Sequence, residues 1–351
     1  MVYYLLYFAC SPNKLFSYGL DMLILLIVLA LFYAFLNGYR DSSSILSGVI
    51  ASRAVNPRIA LLLIGVADLI APFLFGFAVA RSIATGLIDT SAVELSTITL
   101  GMASAVIWSL FSWWQGIPSS STHAMIGGLF GAALITHGTK AILTSGLLNI
   151  ILPLLLAPVL AFIIGLLLMN FFYIIFYFAT PKINVFFQRS QVATMILLAL
   201  ANSSNDAQKS MGAIALGLVL TGRMTSFAVP SWVLISCAAA LALGGSIGDW
   251  RQIRKLGGRI YRIKPMNALD SQITSIVLIS IASILGIPVS TPHVISSAIV
   301  GSGAAERINK IRWSVVGEMV TTWLVTIPVT GIFSCLIYFV IIEFLKIFAI
   351  F

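Results

Sequence analysis

Charge is the scarcest thing in this sequence. Asp, Glu, Lys and Arg make up 9% of its 351 residues, against about 25% in an ordinary soluble domain, which excludes a water-solvated globular surface. Cysteine is nearly as rare. Cys10, Cys237 and Cys335 stand far apart in apolar surroundings, without the spacing of a metal site or a disulfide framework. The nucleotide-cradling pattern Gly-x-x-x-x-Gly-Lys-Ser/Thr is missing, so direct drive by ATP is not expected. The first nine residues carry no Lys or Arg, and the surroundings of Cys10 are a poor cleavage signal. That stretch reads as an anchor, or the working start is Met22, and we treat 1–21 as an N-terminal extension.

What the sequence has in abundance is apolar length. Sixty per cent of it is hydrophobic, and uncharged runs cover 95–139, 141–181, 224–248, 271–305 and 319–342. A spanning helix needs about 20 mostly apolar residues, so several of these runs hold more than one crossing. We expect an all-α integral membrane protein with about ten to twelve helical segments, some broken or re-entrant, running many times through the cell membrane. The net charge of +9 lies mostly between hydrophobic runs, which fits topology rather than a nucleic-acid partner. Its densest cluster, Arg251, Arg254, Lys255, Arg259, Arg262 and Lys264, is expected on the cytoplasmic side against lipid headgroups.

The chain repeats itself. Gly116-Ile117-Pro118-Ser119-Ser120-Ser121-Thr122-His123 is echoed by Gly286-Ile287-Pro288-Val289-Ser290-Thr291-Pro292-His293, and eight residues after each His stands a glycine, Gly131 or Gly301. Upstream of each octad lies a second pair, Asn37-Gly38-Tyr39-Arg40-Asp41 and Asn202-Ser203-Ser204-Asn205-Asp206. We divide the chain into a first half, 22–180, and a second half, 191–351. Such duplication is typical of secondary transporters, whose repeats are often inverted and whose substrate site lies at their interface.

The paired motifs carry distinct chemistry. Asp41 and Asp206 adjoin long apolar runs, where an ionised carboxylate costs several kcal/mol unless it is partnered or faces water. In the octads, Pro118 and Pro288 are expected to open half-helices inside the membrane. The free amides and hydroxyls of Ser120, Ser121, Thr122, Ser290 and Thr291 would then form an anion site. Two acids beside an anion site make sense if they bind a coupling Na+ or H+, or accept hydrogen bonds from a protonated oxyanion such as hydrogen phosphate. His123 and His293 match across the halves and either fix the octad backbone or carry a proton, whereas the unmatched His137 reads as a hydrogen-bonded structural residue. Lys209 has no counterpart, since Ser44 takes its place, and either pairs with an acid or approaches the substrate.

These motifs resemble those of the inorganic phosphate transporter (Pit) family. The resemblance runs from about Leu23 onward and rests on 37–41, 118–131, Asn205-Asp206-Ala207-Gln208-Lys209-Ser210-Met211-Gly212 and 286–303. It implies symport of phosphate with Na+ or H+, an inverted-repeat fold with re-entrant hairpins, and a homodimer. By motif, Asp41, Asp206, Asn37 and Asn205 would line the substrate and cation sites, with the octad hydroxyls around the anion. No cofactor is implied beyond the coupling ion. Three positions depart from the family pattern: Arg40, Ser44 and Pro292. Arg40 could supply the positive charge of a bound cation, weakening Na+ dependence, or simply neutralise Asp41. Pro292 removes one hydroxyl from the second octad.

Other functions are weaker readings. A sulfate permease keeps the fold and changes the anion, and a passive channel would move phosphate without concentrating it. A hydrolase built on Ser120, His123 and Asp41 conflicts with the symmetric copy in Ser290 and His293, because a triad needs one nucleophile against one base. The Gly-x-Ser-x-Gly match at Gly244-Gly245-Ser246-Ile247-Gly248 lacks a strand-turn-helix context.

Overall fold

In lipid, a backbone must satisfy its own hydrogen bonds, so long apolar runs fold as helices. The computed structural model describes residues 12–117, 119–250 and 263–348, with side chains for 19–117, 119–250 and 263–342. Cys10, Pro118 and the cluster Arg251, Arg254, Lys255, Arg259 and Arg262 lie outside the described residues. Among the described residues, eleven α-helices run in chain order: α1 Pro12–Ala51, α2 Pro57–Ile70, α3 Ala78–Gly86, α4 Leu95–Gln115, α5 Ser121–His137, α6 Thr144–Ile175, α7 Ile183–Leu220, α8 Ser231–Ile247, α9 Pro265–Ile284, α10 Thr291–Glu306 and α11 Trp313–Phe348. Six of them, α1, α4, α6, α7, α9 and α11, are long and apolar enough to cross a membrane, and α2 with α3, bent by 70°, forms a possible seventh span. The outward faces are apolar, as lipid requires: Ile174 is 76% exposed and Val340 68%.

Two hairpins organise the centre. In the first, α4 packs against α5; in the second, α9 packs against α10. Each octad is the turn between the two arms. Gly116 closes α4 at φ 67°, Gly286 follows α9 at φ 74°, and both adopt the left-handed conformation that glycine enters without steric cost. The next amide reaches back in the same way twice, Ile117 N–H to Ser112 O and Ile287 N–H to Ala282 O, each at 2.8 Å. That is the six-to-one bond of a Schellman stop. The hairpin bases are tied as well. Thr97 meets His137 Nε2 at 3.1 Å in the first, and Asn267 Nδ2 donates to Ser302 Oγ at 3.2 Å in the second.

The glycines eight residues after each His have the same use in both halves. A Cβ on Gly131 would run into the backbone of Gly331 in α11, and one on Gly301 into the backbone of Phe162 in α6. Small residues of this kind let membrane helices approach closely. Contacts recur with the halves exchanged: α5 lies on α11 as α10 lies on α6, and α1 packs on α8 as α7 packs on α2 and α3. The Gly-x-Ser-x-Gly match falls at the end of helix α8, with Gly248 as its C-cap, and Ser246 Oγ donates to Ala242 O within the helix at 2.7 Å. Gly245 there makes room for the Asp68 carboxylate, so the match is a packing feature.

A candidate anion and cation site between two hairpin tips

Pro288 does not open a helix: it stands three residues ahead of α10, whose first residue is Thr291, and in the first octad α5 begins at Ser121. The reason is capping: Ser120, with extended φ/ψ, is the N-cap of α5 and its Oγ accepts from His123 N–H at 3.2 Å. In α10 the N-cap is Ser290, and Pro292 sits in the first turn, where a missing N–H costs nothing. The residue that departs from the family pattern is therefore the one that suits the helix start. Ser120 meets the main chain of His123 and not its ring, which removes the nucleophile-base pair of a hydrolase.

The two tips meet. Thr122 Oγ1 donates to Val289 O at 2.8 Å, and the His123 and His293 ring centroids lie 4.6 Å apart, with His293 stacked on Trp323 at 3.9 Å. Against this junction lie the middles of α1 and α7. Asp41 and Asp206 are 3% and 0% exposed, and their carboxyl groups lie close enough to interact electrostatically. Two neighbouring buried carboxyls are eased by a proton or a cation between them. Lys209, also fully buried, forms an ion pair with Asp206 Oδ1 and donates to Thr122 Oγ1 at 2.7 Å and Val289 O at 3.1 Å.

Asn205 clamps the second octad. Its Nδ2 donates to Ser283 Oγ at 3.1 Å and Ile287 O at 3.0 Å, while its Oδ1 accepts from Val289 N–H at 3.2 Å. Asn202 Oδ1 accepts from Thr291. On the first octad, Tyr33 donates to Ser121 O at 2.8 Å, and Arg40 Nη2 donates to Ser119 O at 3.0 Å and Ser119 Oγ at 3.1 Å. Among the described residues Arg40 makes no ion pair with Asp41; its guanidinium holds the strand that leads into α5.

Several octad hydroxyls are thus engaged by the protein. Ser120 caps its own helix, Thr122 links Lys209 to Val289, and Thr291 bonds Asn202. The buried polar atoms that no protein group satisfies include both side-chain atoms of Asn37, Asp41 Oδ2, Asp206 Oδ2, Ser290 Oγ, His123 Nδ1 and His293 Nε2, and others lie elsewhere, on Asp270, Gln272 and Thr274 of α9 among them. Native interiors leave few such atoms, and one group of them lies around the tips and the paired acids. The lone His137 has its hydrogen bond to Thr97.

A cavity of about 750 Å³ approaches the site from one side, lined by Arg81, Ser82, Thr85, Asn149 and, at the second octad, Gly286 and Ile287. Its wall α3 starts on a residue of α7: Gln208 Oε1 accepts from Val79 N–H at 2.9 Å and Ala80 N–H at 3.2 Å. A cation in a cleft raises the local concentration of anions. Arg81→Glu is therefore expected to lower uptake of an anionic substrate by about tenfold at low ionic strength and less in high salt, with the maximal rate retained; uptake measured against substrate concentration at two ionic strengths checks this.

Three participants, and one further buried acid at the base of the second hairpin, were not singled out from the sequence. Tyr33 and Gln208 act through tertiary contacts that no local pattern announces. Asp68, 2% exposed and bonded to Ser203, and Asp270, 0% exposed on α9, could have been found by asking of every acid in an apolar run what partners it.

Discontinuous helices, hairpin tips meeting at buried acids and an apolar outer face define a multi-pass membrane transporter. The chain belongs to the phosphate transporter family, whose model matches residues 37–334. It is 35% identical over 326 residues to a probable low-affinity inorganic phosphate transporter of Bacillus subtilis, covering 92% of this chain and 98% of that one. A protein of Rhizobium meliloti with the same description is 38% identical over 320 residues, covering 91% and 96%. The fold is shared with a solved structure described as the sodium-dependent phosphate transporter, at TM-score 0.82 and 20% identity, over 92% of this chain and 99% of the other. Family and relatives are transporters, not enzymes.

Proposed function

We propose that this chain is a secondary active symporter that carries inorganic phosphate with a coupling cation, Na+ or H+, through the junction of the two hairpin tips. The observation that carries this reading is the set of unsatisfied buried atoms around Asp41 and Asp206. Asn37 and Ser290 supply donors for an oxyanion, and the free carboxylate oxygens supply acceptors. Hydrogen phosphate donates a hydrogen bond that sulfate, unprotonated at neutral pH, does not, so acceptors in the site favour phosphate. Asp41, Asp206, Asn37 and Asn205 line the substrate and cation positions, and the histidine pair borders them.

The tip-to-tip meeting of the hairpins supports inverted repeats, since two re-entrant hairpins meet end to end when they enter from opposite sides. Alternating access would then be a rocking of one repeat-derived bundle against the other about this fixed junction. A homodimer, the assembly the family resemblance implies, belongs to the same proposal. Substrate identity is tested by competition in proteoliposomes. Labelled phosphate uptake is expected to persist in a large excess of sulfate and to vanish in an excess of unlabelled phosphate. Equal suppression by sulfate would make the chain a sulfate permease.

A further inference from the structure

We propose that Lys209 is a built-in cation that fills, at Asp206, the place a diffusible coupling cation would otherwise occupy. The inference rests on the reading of the site as a coupled anion transporter and deepens it by separating the two acids. The ammonium is held by a carboxylate oxygen of Asp206, the hydroxyl of Thr122 and the main-chain carbonyl of Val289. These are hard oxygen donors of the kind that bind small cations, and carbonyls of unwound membrane segments coordinate Na+ in broken-helix transporters. The donors come from α7 and both hairpin tips, so whatever cation sits there ties the tips together.

The first half has no such device. Ser44 stands where Lys209 would be, and among the described residues Asp41 forms no ion pair, whereas Asp206 has one. Arg40 does not replace it, because the guanidinium is turned to Ser119. The pair of acids is therefore asymmetric: Asp206 carries its own counter-ion, and Asp41 is the acid left for an exchangeable cation or proton.

Two variants test this in the purified full-length protein. Lys209→Ser copies the residue of the first half and removes the charge; Lys209→Gln removes the charge and keeps much of the side chain. Their thermal unfolding midpoints are followed as NaCl replaces choline chloride at constant ionic strength. Both variants are expected to be stabilised by NaCl beyond the response of the native protein. Lys209→Arg, which keeps a cation, is expected to follow the native response, and adding Asp206→Asn to Lys209→Ser is expected to remove the gained one. In liposomes, phosphate uptake by the charge-removed variants should require more Na+ than native uptake. No gained response to NaCl in either variant would overturn the proposal. So would loss of stabilisation by inorganic phosphate at every NaCl concentration without a gained Na+ response, which would make Lys209 a substrate ligand. The unfolding readout needs no transport, so it stands apart from the outcome of the phosphate competition.

Discussion

Asp206→Asn is expected to cut phosphate uptake by at least about 100-fold and to destabilise the protein, whereas Asp41→Asn is expected to cut uptake as deeply with little loss of stability. The difference follows from the partners. Asp206 holds the Lys209 ammonium in a fully buried pair, and breaking such a pair by removing one charge costs about 3–5 kcal/mol, because the other stays buried alone. Hydrogen bonds from Lys209 to Thr122 and Val289 remain, which keeps the cost toward the lower end. A loss of about 3 kcal/mol is a factor of more than 100 in the folding equilibrium; the loss of uptake comes from removing a carboxylate of the site. Asp41 has no ion pair among the described residues and an unsatisfied Oδ2, so neutralising it relieves a buried charge while removing the group argued to take the coupling cation. Unfolding midpoints and uptake, measured side by side, check both halves. If Asp41→Asn transports normally, the first acid is not part of the site.

Asn205→Leu is expected to abolish uptake and to lower stability by about 3 kcal/mol or more, the sum of a few buried groups left unpaired at about 1–3 kcal/mol each. Leu copies the branched shape of Asn without its polar atoms, so hydrogen bonding is lost. It frees Val289 N–H and Ile287 O at once and removes one donor from Ser283 Oγ, which keeps its bond to Ile279 O. Because Val289 O is also a partner of Thr122 and Lys209, slackening this strand would loosen both tips. Denaturant or thermal unfolding in detergent measures the first effect and liposome uptake the second. A stable Asn205→Leu protein that transports would mean that the octad holds its shape without the clamp.

Much of this arrangement is legible in the sequence because the chain states it twice. One octad followed by a helix is an ordinary capped start, but two octads in the same register, each with an acid-bearing motif upstream, mark one site. The matched glycines Gly116 and Gly286, and Gly131 and Gly301, were visible as pattern, and the structure supplies their reasons: left-handed helix stops and close helix crossings. The unmatched residues were harder to read. Lys209 had two readings in the sequence, and only the folded tips show that it meets Asp206, Thr122 and Val289 together. Arg40 had two readings as well, a stand-in for a bound cation or a neutralising partner for its neighbour Asp41. Adjacent residues on a helix point about 100° apart, however, and the guanidinium reaches Ser119 instead. Pro288 misled because proline is common at helix starts, while here Ser290, two residues on, holds the N-cap position and α10 begins at Thr291. Asp68 and Asp270 were legible by the cost of burying an acid, and the repeat drew attention away from them since neither is matched.

The central claim is coupled phosphate transport through the paired-acid junction. Its most direct test is labelled phosphate uptake into liposomes holding the purified protein, under an imposed Na+ gradient, a proton gradient or neither, with Asp206→Asn alongside. Concentrative uptake driven by one gradient and lost in the variant is the predicted result, and it names the ion. Uptake that never exceeds equilibrium under any gradient, or that survives in the folded variant, would contradict the account.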